Sequence, residues 1–508
     1  MPFRASKTLN DELLRYGDFR GGLNLSVAEE ALQPNELAQA DNVELDPLTG
    51  GLKIRGGLRR LKQLRGSGGD FILGNSGRYL YRRDYSERKL FSEEIRDDSD
   101  FVELSKSQQF NGTGTIVPEI SVASWTDSQE NNWSLASDLI GVGTDIYMHT
   151  PGKVSPILRA RGGISVFTWG GRVGAAYMDG VIYFSAIGDA FKWTNEPNNL
   201  SSAQFLNVGY KDGQIINAIV PLGQDLIVFK GFPLNAKGEC SIWRVNGYIP
   251  NTTVTRIATG ISAAGQSCVC DVGNDVFFLS ARGVASLSGV MEYGNVKLSW
   301  FDAKVSEVMR GNALWHMRTR GQLWCRDEMR NVVWVFHYKE KMWTRFVFSI
   351  PIAYACEALV KNSYDLDICI VLPNGDVCIL DDDAGTDYGA AEPIQARVRC
   401  GAAARPRQIL VKGVGVSYSR PGGSQMRVRV SAENAGAFRA DLPQLDRAWY
   451  ASEDTRPAYG NNSSVVGAHA SGSARYRCLV RGWSVTPEVL MKGPGCTLRG
   501  LSMEVVEV

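Results

Sequence analysis

The chain has 508 residues, of which 44% are apolar, 21% charged and 10% aromatic, enough to bury a substantial core and to exclude a disordered chain. Its 55 Lys and Arg stand against 54 Asp and Glu, a net charge of +1, which excludes a uniformly basic nucleic-acid coat or a uniformly acidic tail. The length allows roughly two to four domains, or one large β architecture with an appendage.

The first twenty residues lack the apolar run of a signal peptide, and no stretch approaches the roughly 18 consecutive apolar residues of a bilayer span. The expectation is a chain that is soluble as made. Residues 1–65 read as an extended arm. Gly21-Gly22 and Gly50-Gly51 bracket one short helix predicted over residues 33–41, where Pro34 sits in a first-turn position.

Beyond the arm one pattern recurs: a turn carrying Gly or Asn, then a run of β-branched and aromatic residues. The turns are at Gly77, Gly143, Gly180, Gly223, Gly273, Asn331 and Gly375, spaced 66, 37, 43, 50, 58 and 44 residues apart. The average is near the roughly 40 to 50 residues of a four-stranded propeller blade. The pattern predicts a mainly β chain with a propeller of about seven blades over residues 66–393. A sandwich or irregular barrel also produces Gly-turn-strand repeats, but radial closure alone leaves no long exposed edge. The long first gap holds residues 96–134, which read as an excursion from the blades.

Residues 380–389, with four carboxylates, end the repeats. The order D-D-D-A-G-T-D lacks the alternating ligands and terminal Glu of a calcium loop, which favours a solvated turn between two modules. From residue 394 onward, alternating runs predict a separate, β-sandwich-like module. Residues 394–508 hold 16 Lys and Arg against 8 Asp and Glu, a net of +8, and residues 1–393 carry the compensating −7.

The ten cysteines are scattered without a Cys-x-x-Cys pair, so free buried thiols are expected and no metal or other cofactor is called for. The four histidines, His149, His316, His337 and His469, fall in no zinc-protease pattern, and neither a nucleophile elbow nor a phosphate-binding loop is present. His337 reads as a strand residue at a blade edge. Carboxylate pairs for glycoside hydrolysis can be assembled from separate blades, so a polysaccharide-degrading or host-receptor-binding protein stays as the alternative class. Two basic clusters are candidate docking or phosphate contacts. The first runs from Lys53 to Arg65 and includes Arg55, Arg59, Arg60 and Lys62; the second comprises Arg397, Arg399, Arg405, Arg407 and Lys412. Neither has the interleaved aromatic platforms of a single-strand binder.

The opening strings Phe19-Arg-Gly-Gly-Leu-Asn-Leu-Ser26, Ala31-Leu-Gln-Pro-Asn-Glu-Leu-Ala38, Asp41-Asn-Val-Glu-Leu45 and Gly51-Leu-Lys-Ile-Arg-Gly-Gly57 resemble the start of a broad family of tailed-phage virion proteins. The run from Gly273 to Ser288 looks like a blade of the tail nozzle or hub proteins of short-tailed phages, also called packaged-DNA stabilisation proteins. Arg481-Gly-Trp-Ser-Val and the string from Cys496 to Glu504 are similar to how those chains end. The resemblance implies a non-enzymatic virion protein of the phage tail, assembled in the host cytoplasm. It implies a hexameric ring of copies below the portal and adaptor proteins, beside tail fibre or spike proteins, with double-stranded DNA passing through. Residues 96–134 and the Ser/Gly/Ala-rich stretch 459–474 have no counterpart in that pattern.

Overall fold

The strands of the seven turn-and-strand copies fall in seven different sheets of the computed structural model. The structure describes residues 11–65, 71–84, 89–95, 101–103, 120–137, 146–150, 157–158, 165–176, 180–209, 212–231, 240–273, 275–287, 303–305, 308–360, 365–420, 424–433, 447–452 and 470–508. At the six described turns, Gly77, Gly180, Gly223, Gly273, Asn331 and Gly375, φ lies between 54° and 85°, the left-handed region that glycine and asparagine reach most cheaply.

Within each blade the strands pair antiparallel, and blade 6 is continuous with the sheet of the C-terminal module through a parallel pairing of Arg345 with Asp41. Blades 1 to 4 run over residues 71–103, 122–158, 165–207 and 215–259 with four strands each. Blade 5, residues 269–286, shows three strands among the described residues, and blade 6, residues 313–347, shows four. Blade 7 takes three strands from residues 354–381 and its outermost from Gly57–Gln63. The first strand of every blade touches the first strands of the blades on either side, and Tyr354–Ala358 of blade 7 closes the circle against Phe71–Ser76 of blade 1. The fold is a seven-bladed β-propeller with an added β module.

The core consists of wedges between blades. Phe167, Ile182 and Phe184 pack on Val228 and Val245 between blades 3 and 4; Phe229 and Phe278 meet between blades 4 and 5. Blade 6 buries Trp324, Trp334 and Trp343 almost completely. At the axis, where the inner strands present an unpaired edge, side chains supply the missing partners. Gln266 accepts from the Ile219 N–H at 2.9 Å and donates to its carbonyl at 3.1 Å, and Ser121 does the same for Val166 at 3.0 and 3.2 Å.

Residues 36–41 are a strand, Glu36–Asp41, not the predicted helix. The stretch pairs with Gln395–Cys400 and touches blade 6 at Arg345, and this sheet pairing overrides a short local preference for helix. The arm as a whole is not a free extension. Asp11–Gly17 pairs with Thr497–Glu507 along seven residues, Leu52–Ile54 adds to the same strand, and Gly57–Gln63 belongs to the propeller, which moves the expected boundary at residue 65 inside blade 7. Half of the expected excursion is also regular: Val122–Thr126 and the strand from Asn132 open blade 2, while residues 96–100 and 104–119 lie outside the described residues.

The C-terminal module is built on two long strands, Ala403–Arg420 and Ala470–Lys492. The second takes in residues 470–474 of the Ser/Gly/Ala-rich stretch, and residues 459–469 lie outside the described residues. Strand pairing runs from Glu36–Asp41 through Gln395–Cys400, the two long strands and Thr497–Glu507 to Leu52–Ile54 and Val43–Leu45. The ends of that path, Glu36–Asp41 and Val43–Leu45, are joined by Asn42 alone, so the sheet curls back around its core. The nine cysteines with described side chains are free thiols, eight of them buried. Among the described residues no helix is long and apolar enough to cross a membrane.

Candidate functional site

The cations singled out in the sequence divide between the junction of arm and propeller, where Arg55, Arg59, Arg60 and Lys62 lie, and the C-terminal module, where three of five meet the arm. Arg55 is there because the arm passes close against the 381–387 connection at Gly56 and Gly57. A Cβ on Gly57 would lie 2.3 Å from the Thr386 carbonyl oxygen, so only glycine admits that approach. The Arg55 guanidinium is fully buried and all five of its N–H groups are used. Two bond the Asp387 carboxylate at 2.8 and 2.7 Å; the others reach Asn42 Oδ1, Gly56 O and Val347 O, each at 2.9 Å. Its Cζ lies 4.1 Å from the centre of the Phe348 ring. Asn42, at φ 55°, accepts from the Val347 N–H and donates to the Gln395 carbonyl, both at 2.8 Å. One buried cluster thus ties the arm, the end of blade 6, the 381–394 connection and the first strand of the module.

Arg55 is therefore unavailable to phosphate or to a partner, and the reason is its desolvated bidentate pairing. Lys62 is buried too, 2.8 Å from Glu93 of blade 1. Arg59 and Arg60 are partly exposed and pair with Asp381 and Asp376 across the outer strand of blade 7, at 2.8 and 2.7 Å. Two more carboxylates of the acidic run at 381–387 are taken up in the same way: Asp382 bonds Lys53 and Arg320, and Asp387 bonds Arg55. Burial pushes the Asp382 carboxyl up, but Arg320 and Lys53 outweigh it and hold the group below its usual range. Glu44, also on Arg320, goes the other way, because its burial exceeds what the guanidinium returns.

The second cluster is held mostly by the arm. Arg399 pairs with Glu29 at 3.0 Å, Arg405 with both oxygens of Glu12 at 3.0 Å, and Lys412 with Asp11 at 2.6 Å. Arg397 pairs with Glu488 inside the module. Arg407 alone of the nine candidates is exposed with no carboxylate partner among the described residues. Residues 11–52 contain nine acidic and two basic residues, a net of −7 against the module's +8. The charge split seen along the chain is thus an attraction between its two ends, resolved within one molecule. The propeller does not carry the −7.

Sequence reading missed Asn42, Asp387, Glu12 and Glu29. The acid-rich composition of residues 11–52, set against the basic module, was the signal that could have found the last two. Chemically the site holds elements together: one desolvated bidentate pair fixes the seam, and a row of partly exposed pairs sets the register of the arm.

No protein-family profile matches the chain, and no curated protein matches it. Among solved structures, the chain is similar to BamB from Moraxella catarrhalis, at 11% identity over 63% of this chain and 97% of that one, with a TM-score of 0.36. It is also similar to BBS1N from a complex with ARL6DN, at 11% identity over 64% and 98% of the two chains and a TM-score of 0.41. A third is the β-propeller domain of Myceliophteria thermophila Cps50 (Swd1), at 11% identity over 63% and 98%, again with a TM-score of 0.41.

Proposed function

We propose that this chain is a non-enzymatic structural protein of a phage tail. Copies form a nozzle or hub ring, hexameric as in the family it resembles, that continues the channel of the portal and adaptor, retains packaged DNA and conducts it during ejection. The channel lies between copies. The reading is supported by the way the chain disposes of its cations: of nine that could grip phosphate, eight are occupied by the chain's own carboxylates. Each Lys or Arg that neutralises a phosphate adds affinity through counterion release, so a wall past which a genome must slip is served by cations that are already paired. The arm, which carries four of them and pairs with three more, also holds the opening motifs that resemble the virion family.

The test is electron microscopy of virions and assembly intermediates with an antibody against the purified chain. Label at the portal-proximal tail, and none on host cells incubated with the purified protein, supports a nozzle. Label on host cells, or loss of capsular polysaccharide from them, replaces it with the receptor-binding or depolymerase class.

A further inference from the structure

Five large apolar side chains left exposed on the propeller lie on blades 3 and 4, apart from Met329 and Val347 on blade 6. Ile187, Phe191 and Leu200 stand on the loop between the last two strands of blade 3, 50 to 61% exposed; Phe205 follows on its outer strand, and Tyr248 on the corresponding turn of blade 4 is 44% exposed. The loop is rigid by construction. The buried Arg172 guanidinium donates to the carbonyls of Ser185, Leu200 and Ser202 at 2.6 to 2.7 Å, and the Ile187 N–H bonds the Ser201 carbonyl at 2.9 Å. A preorganised loop loses little entropy when it docks. Half-exposed side chains of this size add up to roughly 300 to 400 Å² of apolar surface, the size of the largest patch on a typical monomer, which is often functional. On the same propeller face are the Asp189 and Glu130 carboxylates, which have no cation partner among the described residues.

Blade 3 lies directly across the seven-membered ring from the gap between blades 6 and 7, the edge that carries the arm and module. The outer face of that module holds an open groove of about 540 Å³. Its floor is the small residues Gly415, Ser417, Gly500 and Ser502, its wall is Leu13, and Arg15 stands over it exposed, with no carboxylate partner among the described residues. A protruding apolar loop flanked by acid and a smooth groove carrying an apolar wall and a free cation are complementary, and they sit on opposite sides of one molecule.

We infer that the blade 3 loop, through Phe191 and Leu200, docks into the groove between Leu13, Arg15 and the Gly/Ser floor of a second copy of this chain. Such a contact is head to tail and heterologous, the kind that closes a ring when the rotation permits. The inference rests on the ring reading above and names its interface.

The test uses the full chain, light scattering after size exclusion, and two variants on opposite sides of the contact. Phe191→Asp with Leu200→Asp alters the loop only; Arg15→Glu with Ser502→Trp alters the groove only. All four side chains are on outward faces, and circular dichroism checks that the fold is kept. Each variant alone should weaken self-association by about 100-fold or more, the scale of losing an anchor residue. Mixing the two should restore association but stop it at dimers, because each retains the surface the other lacks. If Ser502→Trp disturbs the sheet, Arg15→Glu alone should still weaken association and be rescued by Asp189→Arg. A wild-type chain that stays monomeric at about 100 μM, where standard-size interfaces are occupied, overturns the inference. So does a loop variant that associates normally, or a mixture that forms no dimer. Head-to-tail dimers from the mixture together with no label on phage tails would keep the interface and reject the nozzle.

Discussion

Arg55 shows how far one residue's surroundings can invert what its sequence context suggests. It sits in a run of six cations in thirteen residues, yet its guanidinium is inside the molecule and saturated. The five acceptors come from Asn42, Gly56, Val347 and Asp387, positions spread over 346 residues, so no local pattern could announce them. Removing one side of such a pair leaves an uncompensated buried charge. Arg55→Met or Asp387→Leu should each lower stability by about 3 to 5 kcal/mol, whereas the two together should recover a good part of that loss, since a buried pair and an apolar pair are closer in energy than either half-pair. Urea denaturation of the three variants checks this. His337, a buried residue in the third strand of blade 6 rather than at a blade edge, gives a second test. Its Nε2 is 3.2 Å from Thr344 Oγ1, and burial brings its pKa down to about 4. Between an ordinary value of about 6.5 and about 4, the unfolded chain takes up a proton that the folded chain refuses, so stability falls as pH drops through that window. His337→Gln should remove on the order of 3 kcal/mol of the acid-induced loss between pH 7 and 4, read as the difference between the two pH–stability curves.

Gly57–Gln63 is the element on which closure of the propeller depends. It pairs with Asp376–Asp381, buries Leu58, and is followed directly by the chain that enters blade 1, so the first and last blades are held together by backbone hydrogen bonds as well as side-chain packing. A chain beginning at Phe71 would leave the apolar third strand of blade 7 as an open edge and strip the module's sheet of five strands, Asp11–Gly17, Gly22–Leu23, Glu36–Asp41, Val43–Leu45 and Leu52–Ile54. It should aggregate, and a peptide covering residues 53–66 added during refolding should raise the soluble fraction several-fold by filling the edge. A soluble monomer that ignores the peptide would show that closure does not need this strand. The seven blades were legible because one strand in each follows a Gly or Asn in the sequence and is rich in apolar residues, buried on both faces in every blade but the third, where Val181–Phe184 alternates. That strand is the second in blades 1, 4 and 5 and the third in blades 2, 3, 6 and 7, which is why the spacings were uneven. The outer strands of blades 3 and 4 alternate or are irregular and gave no such signal. The strand at residues 36–41 was read as a helix because its partners, Gln395–Cys400, are more than 350 residues away.

At the scale of the whole molecule, the two ends of the chain are oppositely charged and lie on each other. Along the sequence this polarity suggested a basic module offered to a neighbour or to DNA. In the folded chain the arm takes up much of it: Asp11, Glu12 and Glu29 meet Lys412, Arg405 and Arg399. These pairs are partly exposed, so each contributes about 0 to 1 kcal/mol, and strand pairing carries most of the attachment. Their combined effect is to set where the arm lies. Reversing Arg405 and Lys412 to Glu replaces attraction by repulsion at two adjacent points, enough to raise the open fraction of the first strand roughly tenfold. Trypsin cleavage after Arg15 in the native protein should accelerate by about that factor, more at low salt than at high. Adding Asp11→Lys and Glu12→Arg to the same chain should restore protection, because the pairs re-form with opposite sign. If the module instead serves as a phosphate grip, the reversed variant loses DNA affinity with no change in cleavage, and the fourfold variant does not recover it. The arm on its module would then be incidental, and the paired cations would not mark a slippery channel wall.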